Sequence, residues 1–481
     1  MSELKDKTVK GVAWSAVERF SAQGIQFVFN ILIARILLPE DYGVVAMLNI
    51  FLAVSQTFID SGFSNALIRK QDRTDADYNT VFWFNLAVSV FFCALLWLSA
   101  PAIASFYKIP LLTKVTRILS LTLVIGAFGA VQGTRLSIRL DFKTRAVISI
   151  ITITVMGIVG LWMARHGYGV WALVVQNIAG SITRTVFLWL FVKWKPKLIF
   201  SKKSFKDMFG FGSKLLATGL INTVYGNIYS ILIGKFFAPA SLGLYNRAES
   251  FAIFPSANLY GIMQNVSYPV LCSIQNEKVR LKEAFRKFIT LISYISFPAM
   301  VGLSAVADPL VRFILTDKWA ESIPLLQILC FSFILYPIGA FCLTFPNVVG
   351  RSDIYLKQSI ISKCIDLPIF LLCIPFGVKC ICFGKIGVAI ISLFINTYFT
   401  NKLIGYSLLD LIKDIFPIIL FSGIMWISVH LVMNCFEDSG IRLLMGITVG
   451  LASYWALSKI FRNKEYEYIK STILSKISDN K

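Results

Sequence analysis

The chain has 481 residues, of which 56% are hydrophobic and 15% are charged, and its formal net charge is +21. A soluble domain carries about 25% charged residues, so this composition excludes an ordinary soluble enzyme or binding module. The apolar residues form many spans of about 18 or more, which is the length that a membrane-crossing helix needs. The sequence therefore predicts an all-α polytopic membrane protein.

Polar turns divide the apolar sequence into fourteen predicted transmembrane helices. In chain order they lie at residues 13–37, 42–67, 79–104, 112–134, 146–164, 169–192, 208–236, 241–270, 286–306, 322–348, 358–376, 383–401, 411–433 and 441–461. The first span follows about a dozen polar residues without a small-residue cleavage site, which predicts a retained helix and no signal peptide. An even number of spans places both termini on one side of the membrane.

The distribution of Lys and Arg predicts which side that is. The connections on the side of the N-terminus hold 31 of the 47 Lys and Arg residues, and the opposite connections hold 5. Basic residues accumulate in cytoplasmic loops, so both termini are expected in the cytoplasm. The positive charge is then a topology signal and a contact for anionic lipid headgroups, and we expect no nucleic-acid partner.

Two stretches of the chain recur later in it, at offsets of 200 and 210 positions. The segment "ILIARILLPEDYG" at 31–43 returns as "ILIGKFFAPASLG" at 231–243, and "ILSLTLVIGAFGA" at 118–130 is similar to "ILCFSFILYPIGA" at 328–340. Each pair occupies equivalent helices in two successive sets of six. This pattern predicts two pseudo-symmetric six-helix lobes at 1–200 and 201–405, followed by two further helices and a basic tail at 406–481. Parallel six-helix repeats are typical of transporters that work by alternating access.

The same organisation resembles the polysaccharide-transporter branch of the multidrug/oligosaccharidyl-lipid/polysaccharide exporter superfamily. The segments that carry the resemblance are "GVAWSAVERFSAQGIQFVFNILIARILLPEDYGVVAM" (11–47), "DSGFSNALIRKQD" (60–72) and "RLDFKTRA" (139–146). This branch includes Wzx-type flippases for O-antigen and colanic acid and the teichuronic-acid exporters.

The resemblance implies a function and a location. A member would move an undecaprenyl-pyrophosphate-linked oligosaccharide across the bacterial cytoplasmic membrane, for the synthesis of lipopolysaccharide, capsule or exopolysaccharide. It also implies the polysaccharide polymerase and the chain-length machinery as partners. The residues alone indicate a two-lobe membrane transporter and leave the cargo open.

An anionic pyrophosphate needs a polar, preferably cationic, path through the bilayer. Ionisable side chains inside spans are costly unless they face such a path or a partner, so each one is a functional candidate. On depth and charge, the predicted substrate-binding residues are Arg19, Gln23, Gln26, Asp60, Arg184, Lys214 and Arg247. Gln23 and Gln26, with Asn30, form a polar stripe on the first helix. Arg19 is expected to pair with Asp60 or Glu18, either for substrate or proton binding or for helix packing.

A second group of candidates concerns ion coupling. Lys363 and Asp366 lie three residues apart near the middle of one span, and Asn396 lies in the next. An intramembrane carboxylate beside a cation suits a proton or sodium site. A structural ion pair between Lys363 and Asp366 is the other interpretation.

The remaining intramembrane cations are predicted to be structural. Arg35 and Lys235 occupy equivalent repeat positions in the last turn of a helix, where a cation meets free carbonyl groups. Lys114, Arg117, Lys385 and Arg442 lie close enough to helix ends to extend towards the headgroups.

Two other functions compete with the flippase hypothesis. A multidrug-type cation antiporter shares the architecture, but it should have an acidic pocket, whereas Lys and Arg outnumber Asp and Glu within these spans. A polysaccharide polymerase or glycosyltransferase would need a catalytic group of residues, and neither a nucleophile–base set nor a metal-ligand pattern is recognisable. The nine cysteines lie mostly within apolar spans, where they behave as small hydrophobes. We therefore expect no enzymatic activity, no cofactor and no metal.

Overall fold

The computed structural model describes residues 21–60, 62–468 and 470–471, and the regular elements of those residues are helices. Residues 21–36 form α1. The following helices are α2 (Pro39–Asp60), α3 (Phe63–Arg69), α4 (Asp75–Tyr107), α5 (Leu111–Ile138), α6 (Phe142–Arg165), α7 (Val170–Phe191), α8 (Lys202–Phe236), α9 (Pro239–Ser273), α10 (Lys278–Ala305), α11 (Ala307–Leu315), α12 (Ser322–Ile334), α13 (Tyr336–Val348), α14 (Ser352–Cys373), α15 (Val378–Ile404), α16 (Leu408–Met433) and α17 (Ser439–Ile460). The predicted all-α class is confirmed.

Twelve helical segments are long and apolar enough to cross a membrane. They coincide with twelve of the fourteen predicted spans, with α2 and α3 forming one segment and α12 and α13 another. The first predicted span lies partly outside the described residues. The eighth corresponds to α9, which has 35 residues but does not reach the required hydropathy. The multi-pass helical fold is confirmed, and the count of fourteen spans stays a prediction.

Polar side chains set where several helices begin. Thr74 and Asp77 form a reciprocal capping box at the start of α4, and Ser407 and Asp410 do the same for α16. Asp141, the acidic residue of the "RLDF" turn, accepts a hydrogen bond from the Thr144 amide at 3.0 Å and so caps α6. These residues satisfy amide groups that a helix cannot pair by itself.

The chain forms two compact units, residues 1–243 and 244–481. In the first, α4 packs on α5, α6 packs on α7, and α8 lies along α2. Its main apolar cluster joins Phe63, Phe82 and Trp194 with neighbouring aliphatic side chains. The predicted lobe boundaries at residues 200 and 405 concern sequence repeats, and they stay a prediction.

In the second unit, α15 packs against α12, α13 and α14, and α10 packs against α12 and α16. Polar contacts attach the two additional helices at both ends. Arg286 of α10 binds Asp414 of α16 through two nitrogens, with an Nη2–Oδ1 distance of 2.5 Å. Arg442 of α17 binds Asp308 of α11 at 3.1 Å. The helices α16 and α17 are therefore integral parts of this unit.

The repeated segments meet each other within the first unit. The backbone of Gly43 lies against the carbonyl group of Pro239, and the backbone of Gly243 lies against the carbonyl group of Pro39. A Cβ atom at either glycine would overlap that carbonyl oxygen. Each of the two Pro-x-x-x-Gly turns thus packs its glycine against the main-chain carbonyl of the other turn's proline.

Candidate functional site

The first helix carries the predicted polar stripe, but only in part within the described residues. Arg19 and Glu18 lie outside them, so the predicted pairing of Arg19 stays a prediction. On α1, Gln26 is exposed, and Gln23 and Asn30 are half-buried. Their side chains are accessible enough to contact a ligand.

Asp60 ends α2 immediately before a break in the helix. It accepts a hydrogen bond from Gln56 at 3.1 Å. Gly62 then adopts a left-handed conformation with φ +70°, and a Cβ atom there would lie 2.8 Å from the Cα atom of Gly212 on α8. This close approach explains why the chain bends at a glycine next to the carboxylate.

Arg184 of α7 lies close enough to Asp60 to exert a coulombic influence on it. The side chains of both residues are accessible to solvent. Asp60 is nevertheless surrounded by protein on most sides, as is typical of a residue in a cavity wall. The structure therefore brings together two of the residues that the sequence selected separately. The predicted partner of Asp60 was Arg19, and Arg184 was predicted only as a single phosphate-binding candidate.

Lys214 on α8 lies at the same level as this pair. Two sets of contacts fix the register of α2 against α8: Thr57 binds the hydroxyl of Thr223 at 3.0 Å, and Gly62 lies beside Gly212. Asp60 falls between Thr57 and Gly62 in the chain, so it lies at the level of the turn of α8 that contains Lys214. The Lys214 side chain is exposed. We refer to Asp60, Arg184 and Lys214 as the inner charged group.

In the second unit, Arg247 of α9 stacks over the indole ring of Trp319, with 5.1 Å between the guanidinium carbon and the ring centroid. Trp319 is fully buried. This contact fixes Arg247 against the protein, which suits a packing role as well as a binding role.

An ion pair between α9 and α15 was not predicted. Lys385 of α15 forms an ion pair with Glu249, and the hydroxyl of Tyr245 donates to the same carboxylate oxygen at 3.2 Å. The Lys385 side chain is only 16% exposed. The prediction that Lys385 extends towards the headgroups is therefore wrong, because a carboxylate on the neighbouring helix offers a nearer partner. The opposite charges of Glu249 and Lys385, both within spans, were the available signal.

Lys235 makes a contact of the predicted kind, with the carbonyl end of a helix, but that helix is not its own. Its ammonium donates to the carbonyl oxygen of Phe106 at 2.5 Å, in the last turn of α4, and lies 3.9 Å from the centroid of the Phe106 ring. The cation therefore caps the carbonyl end of a neighbouring helix.

The ion-coupling candidates occupy two levels of the second unit. Asp366 is buried on α14, with Lys363 half-buried one turn before it. Asn396 of α15 is 3% exposed, and its main-chain carbonyl oxygen accepts a hydrogen bond from the side-chain nitrogen of Gln358 at 3.3 Å. Gln358 and Asp366 are eight residues apart, about 12 Å along α14. The structure thus joins Asn396 to Gln358 and leaves Asp366 two turns away.

The Gln358 level contains acceptor atoms without partners. Among the described residues, the side-chain oxygens of Gln358 and Asn396 are buried without a hydrogen-bond donor, and the hydroxyl of Ser362, one turn along α14, has no partner either. Buried polar atoms are usually paired, so such a set indicates room for a water molecule or a cation. Gln358 and Ser362 were missed in the sequence, although a polar residue every four positions on a membrane helix was a recognisable signal.

Comparison with known proteins gives a consistent result. Residues 32–324 match the protein family described as "Polysaccharide biosynthesis protein". The chain is 26% identical over 332 residues to the teichuronic acid biosynthesis protein TuaB of Bacillus subtilis, which covers 68% of each chain. It is 26% identical over 377 residues to the lipopolysaccharide biosynthesis protein WzxC of Escherichia coli, which covers 76% of this chain and 75% of that protein.

Solved structures share the fold. The lipid II flippase MurJ in an inward closed conformation superposes with a TM-score of 0.75 at 16% identity, over 94% of this chain and 98% of that one. An inward-facing multidrug transporter of the MATE family gives 0.60 at 16% identity, over 81% and 98%. At these identities the likeness shows a common transporter fold and leaves the cargo to other arguments.

Proposed function

Because the chain belongs to the polysaccharide biosynthesis protein family, we propose that it is a flippase. It transfers a lipid-linked oligosaccharide, with an undecaprenyl-pyrophosphate anchor, from the inner to the outer leaflet of the cytoplasmic membrane. The names of its relatives connect the family with teichuronic acid and lipopolysaccharide, and the fold is that of a lipid II flippase. The product would then pass to the polysaccharide polymerase and the chain-length machinery.

The inner charged group is the observation that carries this proposal. The cargo has an anionic headgroup, a hydrophilic glycan and a lipid tail that remains in the bilayer. Moving it requires cations that are accessible within the membrane, where an isolated charge costs about 2.5–3.5 kcal/mol. Arg184 and Lys214 supply two such cations, and Asp60 compensates for them when no phosphate is bound.

The same group distinguishes the flippase from a multidrug-type antiporter. An organic cation would require an acidic pocket, whereas this group contains two cations and one carboxylate. The polar residues of α1, Gln23 and Gln26, add amide donors and acceptors suited to sugar hydroxyls. Arg19, if it shares this face, would contribute a third cation. The balance of charge therefore favours a phosphate-bearing cargo.

The direction of transfer follows from the predicted orientation. The excess of Lys and Arg in the connections on the side of the N-terminus supports cytoplasmic termini. Lipid-linked repeat units are made in the cytoplasm, so the inner charged group would meet the cargo on its side of origin. Alternating access would then carry the headgroup outwards.

We further propose that transfer is coupled to a proton or sodium gradient in the second unit. Asp366, with Lys363 beside it, would titrate or bind a cation, and Asn396 would supply an amide oxygen. The unpartnered oxygens of Gln358 and Asn396 support a cation site at the Asn396 level. Asp366 would act two turns away, as a separate charge whose state depends on the same gradient.

The experiment is a transfer assay in sealed proteoliposomes of known orientation. They would contain a labelled undecaprenyl-pyrophosphate oligosaccharide, and a membrane-impermeant glycosidase would report the fraction exposed on the outside. Protein-dependent exposure of the glycan is the expected result. Liposomes that export a cationic dye but do not transfer the glycan would contradict the proposal and favour the antiporter. Formation of a longer glycan chain in the liposomes would instead indicate an enzyme.

A further inference from the structure

The connection between α7 and α8 has an unusual distribution of side chains. Residues 192–197 form no regular secondary structure, and in them Val192 and Trp194 are buried while Lys193, Lys195 and Lys197 are exposed. Trp194 is 8% exposed and packs against the ring of Phe82, with 6.0 Å between the ring centroids. The alternation holds one face of the connection on the first unit and directs the other face outwards.

An apolar tip follows this stretch. Leu198 is 90% exposed, Ile199 is 42% exposed and Phe200 is 53% exposed. Connections between helices are ordinarily polar at such exposure, and three consecutive large hydrophobic residues there require a nonpolar environment. Within the first unit, Phe200 contacts the ring of Phe205, with 6.0 Å between the ring centroids, and the three side chains remain exposed beyond that contact.

The tip is held in place on both sides. The indole nitrogen of Trp83 donates to the carbonyl oxygen of Lys197 at 2.8 Å, and the Lys197 amide donates to Asn79 at 2.5 Å. After the tip, the Ser201 amide donates to the hydroxyl of Thr80 at 3.0 Å. Because both flanks are bonded to α4, the apolar side chains cannot fold back without breaking these bonds.

Its position along α4 matches the boundary between water and hydrocarbon. The first turn of α4 contains Asp75 and Asp77, and from Val81 the helix continues as an almost uncharged apolar span. The tip docks on residues 79–83, where that change occurs. Tryptophan is enriched at the membrane–water interface, and Trp83 lies at the corresponding level of α4.

Lysines surround the tip. Six exposed lysines lie within residues 193–206, with Asp207 the adjacent acidic residue: Lys193, Lys195, Lys197, Lys202, Lys203 and Lys206. Near an anionic leaflet each lysine is attracted to the lipid headgroups. An exposed hydrophobic tip combined with basic residues is the composition that binds membrane interfaces.

We propose that residues 192–206 form an interfacial anchor that inserts Leu198, Ile199 and Phe200 into the anionic leaflet of the membrane that the chain spans. The lysines bind lipid phosphates around the inserted tip. The anchor fixes the level of α4 and of the start of α8 relative to that leaflet. It depends on the first unit alone and is independent of the cargo.

The test uses the full-length protein in liposomes. An environment-sensitive fluorescent amino acid would replace Leu198, or Asp72 as the matched control, which is exposed in the neighbouring turn between α3 and α4. Lipids that carry a nitroxide near the headgroup would quench the probe at 198 and leave the probe at 72 unquenched. The emission at 198 should shift to the blue, and further as phosphatidylglycerol replaces phosphatidylcholine.

A lysine variant tests the charge dependence. K193Q/K195Q/K197Q should lose the additional shift caused by phosphatidylglycerol, while its thermal unfolding temperature stays that of the parent because all three side chains are exposed. A water-like emission at 198, or no response to lipid charge, would overturn the proposal. Shielding from aqueous iodide without quenching by lipid would overturn it as well, and would assign the tip to a protein partner. None of these measurements requires glycan transfer, so the result is separate from that of the flippase assay.

Discussion

At the scale of single residues, charge and depth identified useful candidates but not their partners. Asp60 and Arg184 could be selected because each is an ionisable residue within an apolar span. Their proximity depends on how α7 packs beside α2, which no local pattern specifies. Lys385 shows the same limit: its distance from the helix end suggested an extended side chain, and Glu249 on another helix determined its actual contact.

Substitution of Arg184 tests the inner charged group. Arg184→Ala should reduce glycan transfer about tenfold or more, because a charge-assisted hydrogen bond to phosphate contributes about 1.5–3 kcal/mol. Lys214→Ala and Arg19→Ala should act in the same direction. Arg165→Ala, an exposed arginine in the last turn of α6, is the matched control and should leave transfer unchanged. Equal transfer by all four variants, at equal amounts in the membrane, would remove the group from the cargo path.

The pair of Glu249 and Lys385 is expected to contribute to stability. Lys385→Met leaves a half-buried carboxylate without its cation and should lower the free energy of unfolding by about 1–3 kcal/mol. Glu249→Gln should act similarly. The double variant should lose less than the sum of the two single variants, because the interaction is removed only once. Thermal unfolding in detergent, followed with a dye that reacts with buried cysteines, measures this, and strictly additive losses would refute the pair.

At the scale of helices, sequence predicted most spans correctly because apolar length is a strong signal. In the structure one predicted span is divided near Pro337, between α12 and α13, whereas Pro255 and Pro298 lie within uninterrupted helices. The break after Asp60 was missed, although "DSG" is a turn signal. Its cause is the contact of Gly62 with Gly212, which lies 150 residues away in the chain.

The contact between the repeated turns gives a prediction at this scale. Gly43→Ala and Gly243→Ala each place a methyl group on a backbone carbonyl of the other turn, which cannot move as a side chain can. Each should lower the free energy of unfolding by about 1–3 kcal/mol. Gly133→Ala is the matched control, because a Cβ atom there has open space. It should be neutral or stabilising by up to about 1 kcal/mol through helix propensity. Similar unfolding temperatures for all three variants would show that the turns do not pack closely.

At the scale of the whole molecule, the transporter class could be predicted from composition, the repeat and the family resemblance. The nature of the cargo is inferred from the family and from the inner charged group, because neither hydropathy nor the fold distinguishes a glycan from a drug. The unpartnered buried oxygens of Gln358 and Asn396 could not be predicted, because among the described residues they are recognisable only once the helices are packed.

Coupling is a property of the whole transport cycle and is tested there. Asp366→Ala and Lys363→Ala should alter the dependence of transfer on pH, and Asn396→Ala should alter its dependence on sodium. Each variant would be assayed with a proton gradient alone and with a sodium gradient alone. Thr448→Ala, on the exposed face of α17, serves as the control. Unchanged responses to both gradients would rule out these residues as coupling sites.

The reciprocal packing of Gly43 on Pro239 and of Gly243 on Pro39 also bears on the history of the chain. In an isologous dimer, a residue i that contacts j on the partner is matched by j contacting i. The two turns show that relation within one polypeptide, which is the arrangement that fusion of two copies of a half-length chain would leave. The residues between proline and glycine differ between the two turns: Glu40, Asp41 and Tyr42 in the first, and Ala240, Ser241 and Leu242 in the second. The contact itself needs only a main-chain carbonyl group from each proline and the absence of a side chain at each glycine.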